Sequence, residues 1–133
     1  MTAPAFSQEA SFLRVQQRFV ELARVPEDWD SYGAAAVAPH AIATAQGLIM
    51  DVLRAFPLRA PEELLPFDLL PLPDGSVQLI WQGACGELDL DVNPHGRIGY
   101  LVTIDQGGTR RRDEVDDVSP QDVIRVLREQ VRL

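Results

Sequence analysis

Two short runs, Leu72-Pro73-Asp74-Gly75-Ser76 and Asn93-Pro94-His95-Gly96-Arg97, constrain this chain more than any other feature. Each puts Pro where a type I turn needs its fixed φ, and Gly where the next residue must be left-handed. Both read as three-residue hairpins with a glycine bulge. Such a turn pairs its flanking residues, so Leu72 faces Ser76 and Asn93 faces Arg97, and every other pair follows by counting outward. Pro71 then opposes Val77, Leu69 opposes Leu79 and Phe67 opposes Trp81. In the other hairpin Val92 opposes Ile98, Leu90 opposes Tyr100 and Leu88 opposes Val102. Gly83-Ala84-Cys85-Gly86 allows a tight loop between them that sets Trp81 opposite Leu88. The outcome is a four-stranded antiparallel meander over 67–105.

The register gives the meander one apolar face: Phe67, Leu69, Val77, Leu79, Trp81, Leu88, Leu90, Val92, Ile98, Tyr100, Val102 and Ile104. A slip of one residue would mix the faces, so the pattern and the turns support each other. The opposite face carries Gln78, Gln82, Glu87, Asp89, Asp91, Gly99, Thr103 and Asp105, with Ile80 and Leu101 as apolar exceptions. That face reads as wet.

Helical periodicity appears on either side of the sheet. Phe12, Val15, Phe19, Leu22 and Ala23 recur at three and four within 7–24. A second helix spans 39–56, opened by Pro39, with Ile42, Ala45, Ile49, Val52, Leu53 and Phe56 as its stripe. The Pro-rich piece 57–66 reads as a connector. A third helix, 119–131, opens on Ser119-Pro120-Gln121-Asp122, a capping pattern. Three helices cannot cover both faces of the sheet. The expected fold is a two-layer α+β domain over 1–133: two N-terminal helices, the four-stranded β-meander and a C-terminal helix, with Arg110 to Val115 available as a fifth strand. At 133 residues such a domain buries roughly two thirds of its unfolded surface around one core.

The lone Cys85 forms no internal disulfide, and the first thirty residues hold neither a basic start nor a long apolar run. A cytoplasmic address without a membrane span is therefore expected. All 12 basic residues are Arg, which matches the usage of a GC-rich bacterial genome and removes Schiff-base and Walker-type lysine chemistry. A net charge of −8 repels phosphates at long range and argues against general nucleic-acid binding. The same charge suits a partner with a basic surface.

Between the first two helices lies Pro26-Glu27-Asp28-Trp29-Asp30-Ser31-Tyr32-Gly33-Ala34, a loop rich in aromatics and acids together. With the Pro-opened helix that follows and Pro73-Asp74-Gly75-Ser76-Val77-Gln78-Leu79-Ile80-Trp81, it resembles a scattered group of small uncharacterised bacterial proteins with a W-D-x-Y-G-A loop before a β-meander. The likeness covers residues 28 to 102 and implies no activity or ligand. Members of that group commonly carry Gly at the place of Ser31. Within the loop, Asp30 can hydrogen-bond the loop amides while Trp29 and Tyr32 plug the seam between helix and sheet. The alternative is a recognition edge, since Trp and Tyr dominate interface hot spots.

No catalytic constellation emerges. Cys85 and His95 fall in turns at opposite ends of one strand, about 20 Å apart at roughly 3.3 Å per residue. His40 opens the second helix with no acid or nucleophile at a recognisable offset. Glu87, Asp89 and Asp91 share one face at about 6.6 Å spacing, too far apart to hold one hard cation together. Arg110-Arg111-Arg112 runs directly into Asp113-Glu114-Val115-Asp116-Asp117, a charge reversal that leads to the last helix and lets the arginines reach the acidic face.

These readings favour a non-enzymatic acidic protein-interaction module of adaptor, immunity-like or antitoxin-like kind, monomeric or homodimeric, with no cofactor and no metal. Its candidate partner-binding residues are Trp29, Asp30, Tyr32, Ile80, Asp89, Asp91 and Leu101. The alternatives are a small hydrolase using exposed carboxylates and His40, and a nucleic-acid mimic.

Overall fold

The computed structural model describes residues 3–133, and their side chains from residue 12 onward. Helix α1 (Ala3–Ala23) starts earlier than its periodicity suggests. It buries Phe19 and Leu22, whereas Ala23, expected on the apolar stripe, is exposed. Helix α2 (Pro39–Ala55) has Pro at its first position and buries Ala41, Ala45, Leu48, Ile49 and Val52, spaced to form one face.

The connector holds one correction. Residues Pro61–Leu64 form a short helix, α3, so three helices precede the sheet rather than two. Pro61 suits its first position, Glu62 and Glu63 its first turn, and Leu64 is buried. The carbonyl of Leu64 accepts the indole N–H of Trp81 at 2.8 Å.

The sheet has five antiparallel strands in chain order: β1 (Asp68–Pro71), β2 (Val77–Gln82), β3 (Gly86–Val92), β4 (Ile98–Gln106) and β5 (Thr109–Val118). The register counted from the turns holds: Leu69 opposes Leu79, Trp81 opposes Leu88, Leu90 opposes Tyr100 and Val92 opposes Ile98. Both Pro-x-Gly turns close as expected, with Leu72 N–H donating to Ser76 O and Asn93 N–H to Arg97 O, each at 2.9 Å. Gly75 (φ 90) and Gly96 (φ 81) occupy the left-handed positions.

Phe67 departs from the expected face. Its N–H donates to Ile80 O, but its side chain is 69% exposed, because buried Leu64 of α3 takes the place beside Trp81. Tyr100 is half-buried at the margin of the core. The available fifth strand is present. Gly107 (φ 55) and Gly108 (φ 85) turn the chain, and β5 pairs with β4 so that Thr103 opposes Arg112 and Tyr100 opposes Val115.

Helix α4 (Pro120–Val126) continues as a π-helical turn, Leu127–Val131, that buries Leu127 and Val131. Its start carries the full capping box: Ser119 Oγ accepts from Asp122 N–H, and the Asp122 carboxylate accepts from Ser119 N–H. The C-terminal stretch also closes the β2–β3 turn, whose Ala84 and Cys85 amides donate to the carbonyls of Arg132 and Val131.

One core joins the helices to one face of the sheet, centred on Trp81, Leu79, Leu88, Leu90, Leu48 and Leu127. Arginines tie the elements together through main-chain carbonyls: Arg18 to Leu69, Arg59 to Leu133, and Arg128 to Ala55. Arg128 also lies 5.0 Å over the Phe56 ring, at cation–π distance. Among the described residues no helix is long and apolar enough to cross a membrane.

Candidate functional site

The helices leave the second face of the sheet open, and the register arranges its side chains in rows across the strands. Ile80, Asp89, Leu101 and Glu114 are direct cross-strand neighbours, from β2 through β5. Gln78, Asp91 and Gly99 form the next row, and Gln82, Glu87, Thr103 and Arg112 the row on the other side. Gln78 donates to Asp91 at 3.3 Å and Gln82 to Glu87 at 3.0 Å, so amides partly screen the flanking acids.

Asp89 is the exception. It stands between half-buried Ile80 and Leu101, and its Oδ1 is shielded from solvent without a hydrogen-bond partner. Its pKa is pushed up to about 6, first by burial, then by the neighbouring carboxyl of Glu87 and the charge of Asp91, with Arg112 opposing. A carboxylate with an unfilled acceptor, flanked by two apolar side chains, fits a donor better than it fits water.

Beside this row the sheet is hollowed. A concavity of ≈360 Å³ lies among Asp74, Asp91, Asn93, Arg97, Glu114 and Asp116. The hollow exists because the β4–β5 ladder shifts between Ile98 and Tyr100, where Asp117 takes φ 56 and Gly99 leaves room for Asp116. The pKa of Asp91 is raised, first by burial, with Asp74 and Glu114 adding repulsion against the lowering hydrogen bond from Gln78.

The aromatic loop packs against the same hairpin turn that borders the hollow. Ala35 N–H donates to Pro73 O at 2.8 Å and Ala38 N–H to Gly75 O at 2.9 Å. Inside the loop Asp30 Oδ1 accepts from the amides of Tyr32 and Ala34, Asp28 Oδ1 accepts from Gly33, and Trp29 donates its indole N–H to Ala35 O at 3.0 Å. Asp30 thus holds the loop amides, as expected, and half-buried Trp29 is anchored. Tyr32 plugs nothing: it is 92% exposed, because the bonds that fix its backbone leave its ring outside. Ser31 sits at φ 65, a left-handed conformation that glycine adopts without strain.

The candidate residues thus fall into two neighbouring groups. Ile80, Asp89, Leu101 and Asp91 meet on the open face, while Trp29, Asp30 and Tyr32 form a separate rim on the far side of the Leu72–Ser76 turn. Asp74, Glu114 and Asp116 were missed by sequence reasoning. The Gly107-Gly108 turn, from which the β5 register can be counted, would have placed Glu114 opposite Leu101, whereas Asp74 lies in the β1–β2 turn and Asp116 beyond the ladder shift.

Cys85 and His95 lie in the turns at opposite ends of β3. His40, at the start of α2, is packed over Gly96. Among the described residues no group of three or more His, Cys, Asp or Glu is arranged to hold a metal ion. A larger groove of ≈730 Å³ between α1 and α3–β1 mixes Arg18, Glu21, Glu62 and Glu63 with the exposed Phe67 and has no single charge character.

A scan against protein-family models and searches of curated proteins and of solved structures found no match to this chain.

Proposed function

We propose that this protein is a non-enzymatic interaction module of adaptor, immunity-like or antitoxin-like kind. In a bacterial cytoplasm, its open sheet face would receive a basic segment of a partner protein. The observation that carries the reading is Asp89: a carboxylate with an unfilled, solvent-shielded oxygen between Ile80 and Leu101, on the sheet face that the helices leave open among the described residues. An arriving guanidinium supplies the missing donor and a compensating charge, while its alkyl stem lies on the two apolar neighbours. The acid-lined hollow beside it takes a second basic side chain, and exposed Tyr32 supplies a rigid aromatic at the rim.

The test is affinity capture of a tagged copy from its own host, with Asp89→Arg/Asp91→Arg and Trp29→Ala as matched controls. A stoichiometric partner lost with the double charge reversal supports the reading and locates the surface. Recovery of the protein alone, or a partner that binds the charge-reversed form equally well, overturns it.

A further inference from the structure

We propose that two copies of this chain associate edge to edge through β5, antiparallel about a twofold axis at Arg112, joining their sheets into one. β5 is an edge strand in which every residue from Thr109 to Asp117 is exposed. Its charge is split by sign along its length: Arg110, Arg111 and Arg112 fill the first half, and Asp113, Glu114, Asp116 and Asp117 the second. An antiparallel copy sets the basic half of one strand against the acidic half of the other. The second copy of this chain is therefore the occupant whose charge the edge matches.

Strand geometry selects the register. In antiparallel pairing, directly opposed residues point to the same face of the sheet, so a twofold axis must pass through a residue. The regular ladder runs from Thr109 to Val115 and stops at the irregularity around Asp116 and Asp117. The centre of that stretch is Arg112. Pairing about Arg112 places Arg110 opposite the second copy's Glu114 and Arg111 opposite its Asp113, each contact occurring twice. Pairing about Arg111 would oppose Arg110 to Arg112, and pairing about Asp113 would run into the irregular residues.

The backbone agrees. Thr109 closes the Gly107-Gly108 turn against Gln106, so alternate residues Arg110, Arg112 and Glu114 aim their N–H and C=O groups away from β4, at the free edge. In the register about Arg112 these outward-facing residues meet one another. The like-charged contact is Arg112 with its copy, and it is offset on each side by the attraction of Asp89 in the same protomer. In the monomer Arg111 is paired with Asp113 at 3.3 Å and Arg110 with Asp105 at 3.3 Å. Association exchanges exposed pairs within one protomer for pairs across the axis.

Charged edges also serve to block edge pairing, and sedimentation velocity separates the two outcomes. The wild-type protein is expected to show a concentration-dependent dimer. An acidic form, Arg110→Glu/Arg111→Asp, and a basic form, Asp113→Arg/Glu114→Arg, are each expected to weaken self-association by at least about 10-fold. Mixed together they should form a heterodimer, and the four changes combined on one chain should restore the homodimer, which also controls for folding of the variants. A wild-type protein that stays monomeric at millimolar concentration, or a dimer indifferent to both single-sign forms, overturns the proposal.

Discussion

Trp81 and Leu64 are joined by a 2.8 Å hydrogen bond from the indole N–H to the main-chain carbonyl that ends α3, with both residues fully buried. The bond fastens a one-turn helix to the middle of the sheet. Trp81→Phe removes the donor and leaves part of the indole volume empty, and should cost about 3 kcal/mol. A urea titration measures this, and amide exchange should show α3 loosening first.

Asp89 makes the fold less stable when it is ionised. Its folded pKa, about 6, lies above the ordinary 3.8, so the folded state binds a proton more tightly than the unfolded state. Stability from this group is gained as pH falls from about 6 towards 3.8 and is lost as pH rises through that window. Asp89→Asn should therefore stabilise the protein at pH 7, by on the order of 1 kcal/mol after solvent screening at this half-buried site. The advantage should vanish below pH 4 in thermal melts taken across the range. Glu87, Asp91, Glu114 and Arg112 are the charged groups that surround it.

Gly83 is pressed against the C-terminal stretch: a Cβ there would lie 2.5 Å from the carbonyl oxygen of Val131. Gly83→Ala should push that stretch off the β2–β3 turn at a cost of about 2–3 kcal/mol. Two readouts check it. The Ala84 and Cys85 amides, which donate to Arg132 and Val131, should exchange faster, and half-buried Cys85 should react faster with a thiol reagent.

Ser119→Ala removes the hydroxyl half of the α4 capping box, the acceptor for the Asp122 amide, while the Ser119 main-chain N–H still donates to the Asp122 carboxylate, and should cost about 1 kcal/mol. The bonds from the Ser119 amide and hydroxyl hold the Asp122 carboxyl below its ordinary pKa. Their contribution is present above the unfolded value and is lost as pH falls through the lower folded one. The variant keeps the larger of the two, the amide bond, and should accordingly show only a modestly weaker acid dependence of its melting temperature than the wild type.

The sheet was legible because its turns are chemically explicit: Pro73 with Gly75 and Pro94 with Gly96 leave one register, and alternation confirms it down to Ile104. The helices with apolar stripes were equally plain. What escaped has physical causes. α3 is a single turn, too short for periodicity, and Pro61 reads as a breaker as readily as a first helical residue. Losing α3 also misplaced Phe67, since Leu64 occupies the position assigned to it. β5 carries no alternation because neither of its faces is covered, so Gly107-Gly108 was its strongest sign. On the open face the row of Ile80, Asp89 and Leu101 was readable from the register. The hollow next to it was not, because it depends on a ladder shift at Gly99 that counting cannot foresee.

Every strand of this sheet lies beside its neighbour in the chain, from β1 to β5 without a crossover. Hairpin after hairpin can zip up from its own turn, so little loop entropy must be lost before each pairing is rewarded. The topology is one that assembles quickly for a β-rich chain, because the two halves of every pairing are never far apart along the polymer.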